Sequence, residues 1–438
     1  MARNKQATGF RVWLAATAAV LAVAACSPGE TPAQPAGESH AQTAEALGLP
    51  TAPATSLGFS DDGVEAIRTE FRGLVDQKKL AGVTTLLSRH GEVAYFDTYG
   101  AANATTGEAL QPDSIFRIAS MTKPIAGVAM MQLWEQGKWK LDDPVSKYIP
   151  EFADLQVKTA DGGTEPQASP MTMAQLMSHT AGFGVSAVYA NDGLQDTDLQ
   201  GMIDKLAQLP LETQPGTAWD YGPSVNIQGY IVEKLSGQTL DAYLQDHIFA
   251  PLGMTDTGFW VPEDKAQLVV AIHTYNENGE IVALPESPTR TSPPSFLSGS
   301  GGLYSTAKDY WRFAQAVLNG GSLDGATVLK PETVEVMRTN VLAPGVKVDL
   351  YGPDMEGIGF GLDFAIVMDP AAADTPQGLN TFYWGGAFGT WFWIDPTNDV
   401  VFVGMIQNLD GSRPDKGTPA TRVISPRLVY SALTDPAK

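Results

Sequence analysis

The sequence predicts a mixed α/β fold of the α+β type: one antiparallel sheet drawn from both ends of the chain, flanked by helices, with a mostly helical lobe inserted between. Three observations predict it. Runs with strand character cluster near the start and near the end of the 438 residues. The stretch between them, from Ser120 to about Leu318, has mostly helical apolar spacing and many loop residues. A hydrophobic fraction of 43% against 18% charged supplies a large core. Length alone argues for two or three domains, but a sheet completed only by both termini requires one interlocked unit.

The N-terminus reads as an address. Arg3, Lys5 and Arg11 precede a nearly all-apolar run from Val12 to Ala25. That run is too short to span a bilayer, which takes about 20 residues, and has the length of a secretory h-region. From Ser27 to Ser56 the chain is rich in Pro, Ala, Thr and Gly, with few large apolar residues. Such a stretch reads as a flexible tether, so folding is expected from about Leu57. Val64, Ile67, Phe71, Leu74 and Val75 then fall at helical spacing within Gly58 to Asp76. Val83 to Ser88 and Glu92 to Tyr99 are strands parted by Arg89-His90-Gly91, a hairpin signal. Asn276-Glu277-Asn278-Gly279 is the turn of a further hairpin. Near the other end, Phe360 to Val367, Thr381 to Gly385, Thr390 to Ile394 and Val400 to Ile406 read as strands. Pro396 to Asp399 turns between the last two, and a helix from Pro419 to Leu433 closes the chain. No fixed-period repeat occurs.

Charge and cysteine usage exclude several functions. Lys and Arg total 28 against 49 Asp and Glu, a formal net charge of -21. A nucleic-acid partner calls for a basic face that displaces counterions from phosphates, and a polybasic grip on anionic lipid is equally excluded. The single cysteine, Cys26, rules out an internal disulfide and any CxxC site. The five histidines (His40, His90, His179, His247 and His273) lack zincin spacing. No Walker A run, G-x-G-x-x-G or G-x-S-x-G elbow occurs. No metal or cofactor is called for.

Two Ser-x-x-Lys patterns remain, and context separates them. Ser305-Thr306-Ala307-Lys308 precedes Asp309 and an apolar-periodic run, so it reads as a helix N-terminus with a capping hydroxyl. Ser120-Met121-Thr122-Lys123 follows Phe116-Arg117-Ile118-Ala119 and opens a helical run. Residues three apart share a helix face, so Lys123 can reach the Ser120 hydroxyl. A serine needs such a neighbour to accept its proton, and a lysine serves once desolvation lowers its pKa. Pro124 is an irregularity, since it cannot donate to the Ser120 carbonyl and crowds it. A helix cap remains the other reading of Ser120.

The segment Phe116 to Lys123 resembles the nucleophile segment of the serine β-lactamase and penicillin-binding-protein superfamily. More specifically, it is similar to the class C-like branch of serine hydrolases, which includes family VIII carboxylesterases. Further matches follow in order: Leu141-Asp142-Asp143-Pro144-Val145, Tyr148-Ile149-Pro150, Leu176 to Gly182, Pro251-Leu252-Gly253-Met254, and Gly301 to Thr306. They cover residues from about 60 to 435. The resemblance implies a β-lactamase/transpeptidase-like fold and an acyl-enzyme on Ser120. It maps the family's catalytic Tyr onto Tyr221, whose anion Lys123 is expected to favour. In the lactamase members Tyr-x-Asn is usual; here Pro223 stands third, and Ser224 is the candidate substitute. The family's Lys-Thr-Gly is absent, and Trp384-Gly385-Gly386 stands at the matching place. The indole removes a charge that normally helps hold a substrate carboxylate and adds apolar area. The glycines are expected to let a substrate lie close to the strand. By the same resemblance, the backbone N–H groups of Ser120 and Ala387 form the oxyanion hole.

Val23-Ala24-Ala25-Cys26 resembles a bacterial lipoprotein signal, in which the cysteine is lipidated and becomes the new N-terminus. Ser27 after it favours the outer membrane, by resemblance to enterobacterial sorting. The expected organisation is therefore a signal over 1–25, a lipidated Cys26 and tether over 26–56, and a hydrolase domain over 57–438. Loss of residues 1–25 removes Arg3, Lys5 and Arg11 and takes the net charge from -21 to -24. The expected function is a serine hydrolase, a carboxylesterase on a small-molecule ester or amide, tied to the cell envelope by its lipid. Two alternatives stay open: a β-lactamase or D-amino-acid peptidase with the same nucleophile, and an inactive cell-envelope binding protein on the same scaffold.

Overall fold

The computed structural model describes residues 40–184, 194, 197–285, 288–350, 354–411 and 417–437. The signal-like segment and Cys26 lie outside them. From Ser39 onward the chain forms one compact unit. Its main helices are α1 (His40–Ala46), α2 (Asp61–Asp76), α3 (Thr122–Glu135), α4 (Leu199–Leu206), α5 (Ser224–Ser236), α6 (Ala307–Leu318) and α7 (Thr421–Ala432).

The sheet begins as the expected hairpin, β1 (Gly82–Arg89) and β2 (Glu92–Asn103). His90 and Gly91 turn it with φ of 57° and 78°, the two left-handed residues that match the twist of paired strands. A short β3 (Glu108–Ala109) edges β2. The far end of the chain adds β4 (Ile358–Phe360), β5 (Ala365–Val367), β6 (Phe382–Gly385), β7 (Trp391–Asp395) and β8 (Val400–Met405). The order across the sheet is β4-β5-β6-β7-β8-β1-β2-β3, every neighbour antiparallel. β8 against β1 joins the two ends of the chain, with Met405 opposite Thr84 and Val403 opposite Leu86.

Both faces of this sheet are covered. Val64, Ile67 and Phe71 of α2 and Val429 of α7 pack on Val83, Leu87, Trp391, Trp393 and Phe402. The Ser60 hydroxyl caps α2 by accepting from the Gly63 N–H at 3.1 Å, and Asp61 and Asp62 suit its dipole. On the other face α6 lays Tyr310 against Phe392, ring centroids 4.9 Å apart. With cover on both sides, β1, β7 and β8 are buried along their whole length. Each large apolar side chain so enclosed contributes roughly 1.5–3 kcal/mol. The inserted lobe carries α4 and α5, and α3 runs between lobe and sheet. Thr122 to Met131 of α3 are all buried, as a helix enclosed on every side must be.

Two expectations are corrected. The packed chain starts before Leu57: Ala44 and Leu49 are buried in the main core. The Pro50 carbonyl accepts from the Val93 N–H at 2.8 Å, and the Ala52 N–H donates to the Val93 carbonyl at 3.3 Å. Backbone pairing needs no large side chain, which is why a Pro- and Ala-rich composition misled. The single strand expected over Phe360 to Val367 is the hairpin of β4 and β5. Asp363 makes the turn at φ 64°, and the Gly361 N–H donates to the Phe364 carbonyl at 2.9 Å.

Candidate active site

Ser120 lies in a 3-10 turn, Ala119–Met121, that leads into α3. Because α3 opens at Thr122, Pro124 falls in its first turn, where no helical N–H is required. The expected conflict at Pro124 is thereby removed. Ala119 has φ 44°, a costly conformation for a residue with a Cβ. It is held by the Ile118 N–H donating to the Leu303 carbonyl at 3.1 Å and by Thr390 Oγ1 donating to the Ile118 carbonyl at 3.2 Å.

Helical spacing puts Lys123 beside the serine. Its Nζ donates to Ser120 Oγ at 3.1 Å and to the Ser300 carbonyl at 2.7 Å. The Tyr221 hydroxyl donates to the same Ser120 Oγ at 2.7 Å, and Lys123 Nζ stands 4.5 Å from the centre of the Tyr221 ring. The loop carrying Tyr221 docks on the Ser178-His179-Thr180 segment: the Asp220 N–H donates to the His179 carbonyl at 2.7 Å. Gly222 passes too close to the Phe183 carbonyl for any side chain. Trp219 stacks on Tyr221 at 5.7 Å between centroids, and the buried His179 ring lies 4.9 Å from it.

Burial decides the proton affinities. Lys123, 3% exposed, is pushed down to about 7 by burial, with the Asp363 carboxyl pulling it partly back. Tyr221 is pushed up to about 12 by burial, against the Ser120 hydrogen bond, the Trp384 indole and the Arg422 charge. The expectation that Tyr221 would favour its anion is therefore overturned, because desolvation outweighs every neighbouring charge. At neutral pH Lys123 is partly free amine and Tyr221 keeps its proton. One oxygen thus sits between a base and a proton donor.

Trp384 is the last residue but one of β6, 5% exposed, with ring centroids 5.6 Å from Tyr221 and 5.4 Å from Phe360. The two glycines after it are taken up by the protein's own packing. A Cβ on Gly385 would lie 2.5 Å from the Arg422 guanidinium, and one on Gly386 would collide with the Ile118 carbonyl. Arg422, from α7, donates through Nη2 to the Gly386 carbonyl at 2.6 Å. The Gly386 N–H donates to Thr390 at 2.7 Å, closing a turn that carries the exposed Ala387. The Ala387 turn therefore abuts the segment leading to Ser120. A cavity of about 370 Å³ lies beside the same strand, bounded by Tyr383, Trp384, Gly385, Trp393 and Arg422; Ser120 does not line it.

Sequence reasoning missed Ser300, Asn226, Asp363 and Arg422. Asn226 Oδ1 accepts from Ser298 Oγ at 3.0 Å and from the Ser300 N–H at 2.9 Å, which aims the Ser300 carbonyl at Lys123. The Ser298-to-Gly302 run of serines and glycines was the available signal: a Cβ on Gly299 would lie 2.6 Å from the Val225 carbonyl. Ser224, the expected substitute for the missing Asn, has its buried hydroxyl without a partner. Asn226, further along α5, holds the Ser298-to-Ser300 segment rather than touching Ser120. Among the described residues no cluster of His, Cys, Asp and Glu could hold a metal ion.

Residues 67–424 match the Beta-lactamase family. The chain is 35% identical over 345 residues to esterase EstB of Burkholderia gladioli, covering 72% of this chain and 83% of that protein. It is 30% identical over 373 residues to lovastatin esterase of Penicillium rubens, covering 77% and 92%. The solved structure of EstCE1, a hydrolase with promiscuous acyltransferase activity, is similar with a TM-score of 0.69 at 24% identity, covering 87% of this chain and 99% of that one. That last likeness speaks for the fold. The chain belongs to the Beta-lactamase family and is a serine hydrolase.

Proposed function

We propose that the chain is a carboxylic ester hydrolase that works through an acyl-enzyme on Ser120. The observation that carries this is the meeting of Lys123 and Tyr221 on Ser120 Oγ, at 3.1 and 2.7 Å. Ser120 Oγ attacks the ester carbonyl and its proton passes to the Lys123 amine. The carbonyl becomes an oxyanion facing the N–H groups of Ser120 and Ala387. The C–O bond to the alcohol then breaks, the departing alkoxide takes the Tyr221 proton, and Lys123 returns its proton to Tyr221. Water repeats the sequence on the acyl-serine. An indole at Trp384 in place of a lysine supports an ester over a carboxylate-bearing lactam, and two relatives bear the name esterase. Cys26 is proposed to carry the lipid that tethers the domain to the bacterial cell envelope, at the outer membrane.

The test is turnover of p-nitrophenyl butyrate, nitrocefin and a D-Ala-D-Ala peptide, with Ser120→Ala as control. Ester hydrolysis lost in the variant is expected. Nitrocefin or peptide turnover above that of the ester would replace the reading with a lactamase or peptidase.

A further inference from the structure

Asp363 takes no part in those steps, yet it is built into the same core. It is 1% exposed and adopts φ 64°, a region that Asp and Asn tolerate better than other residues with a Cβ. Its N–H donates to the Met177 carbonyl at 3.0 Å, pinning the β4–β5 turn against the lobe. Oδ1 accepts from Gln228 Nε2 of α5 at 3.1 Å. Oδ2 is buried without a hydrogen-bond partner and lies against α3, where a Cβ on Gly127 would come within 2.6 Å of it. Gly127 follows Lys123 by one helical turn, on the same face. A glycine inside a helix costs about 1 kcal/mol relative to alanine; here the missing side chain is the space the carboxyl fills. A buried carboxyl with an oxygen unsatisfied is costly unless a cation compensates it.

We propose that Asp363 is a positioning residue of the hydrolytic site: its carboxyl fills the gap at Gly127, one helical turn from Lys123 on the same face of α3, and sets the pH at which Lys123 becomes a free base. This rests on Lys123 being the base proposed above. The other titratable groups at the site are Tyr221 from the loop before α5, His179 from the segment it docks on, and Arg422 from α7. Arg422 acts on Tyr221, and burial, with a lesser push from Lys123, drives His179 down. Burial lowers the Lys123 amine, and the Asp363 carboxyl in its ionised form opposes that lowering. Burial drives the Asp363 carboxyl up and the Lys123 amine down, and each pulls the other back toward its charged form.

The test compares the full chain with Asp363→Asn, which keeps the side chain's size and tolerates the same φ. The measurements are the pH profiles of p-nitrophenyl butyrate turnover and of Ser120 labelling by a fluorophosphonate. The acid limb of kcat/KM, expected near pH 7 in the parent from the Lys123 amine, should move down by about one pH unit in the variant, with KM little changed. A folded, active Asp363→Asn whose limb stays in place overturns the inference. Should that variant not fold, Gly127→Ala drives a methyl into the place of Oδ2 and carries the same expectation, and an unmoved limb there is equally fatal. Lys123→Ala separates the two readings. Full activity in it removes the proposed base, and the inference with it. An inert Lys123→Ala beside an unmoved limb in Asp363→Asn removes only the role of Asp363.

Discussion

Ser120 and Ser305 each precede a lysine by three positions, and the two sites differ in where the following helix begins. At Ser120 the chain is already turning, through Ala119–Met121 into α3. At Ser305 it is still extended and paired, with Ser305 opposite Phe116. Thr306 then caps α6 by accepting from the Asp309 N–H at 3.1 Å. Ser305 is wholly buried, and its hydroxyl meets Thr257 Oγ1 at 2.8 Å. The i, i+3 alignment that joins a hydroxyl to an amine holds only when both lie within helical turns. The pattern is thus a statement about helical phase, and four letters alone do not contain it.

The largest expected effect separates the two serines. Ser120→Ala should lower kcat on p-nitrophenyl butyrate by about 10³-fold or more. Ser305→Ala should keep turnover and lose about 1 kcal/mol in urea unfolding. Equal losses of activity would break the comparison. Tyr221→Phe keeps the ring against Trp219 and Trp384 but removes the proton, so a fall of roughly 10²–10⁴ in kcat is expected from steady-state kinetics.

Lys123→Met sharpens the contrast through stability. The folded chain holds Lys123 near 7 against its ordinary 10.5. Between those values the unfolded chain binds more protons, so stability rises with pH across that window. Lys123→Met should abolish turnover and flatten the rise of Tm between pH 7 and 10.5 that the parent shows. A rise as steep as the parent's would contradict the account. The second segment has the opposite sign. Burial pushes Asp309 up to about 6 from its ordinary 3.8, so here the folded chain binds the extra proton and stability falls as pH rises through that interval. Asp309→Asn should therefore raise Tm more at pH 8 than at pH 4 in thermal melts, without moving the pH profile of turnover. The smallest effect is Thr306→Ala, which removes the α6 cap at a cost of about 1 kcal/mol in the same unfolding measurements.

The sheet was legible because its two halves announce themselves as apolar runs with turn residues between. Ser120 and Lys123 were legible because one helical turn joins them. Tyr221 came only through family resemblance, since nothing local links it to a serine 101 positions earlier. Its protonation state was not legible, because desolvation is a property of the packed core. Asp363 was hidden inside a run that reads as one strand, although Gly361 and Asp363 are turn residues. The pairing of Pro50 and Ala52 with Val93 leaves no side-chain signature at all.

The β1–β8 seam has a consequence for synthesis. Thr84 waits for Met405, and contacts so distant in sequence form late. Ser120, Lys123 and Tyr221 all leave the ribosome before the turn at Gly386 and the last strand exist. A nascent or truncated chain holds its nucleophile without the backbone that props it, and exposes an open β1 edge. The sheet is closed only by the last eighth of the chain, which supports a serine made in its first third.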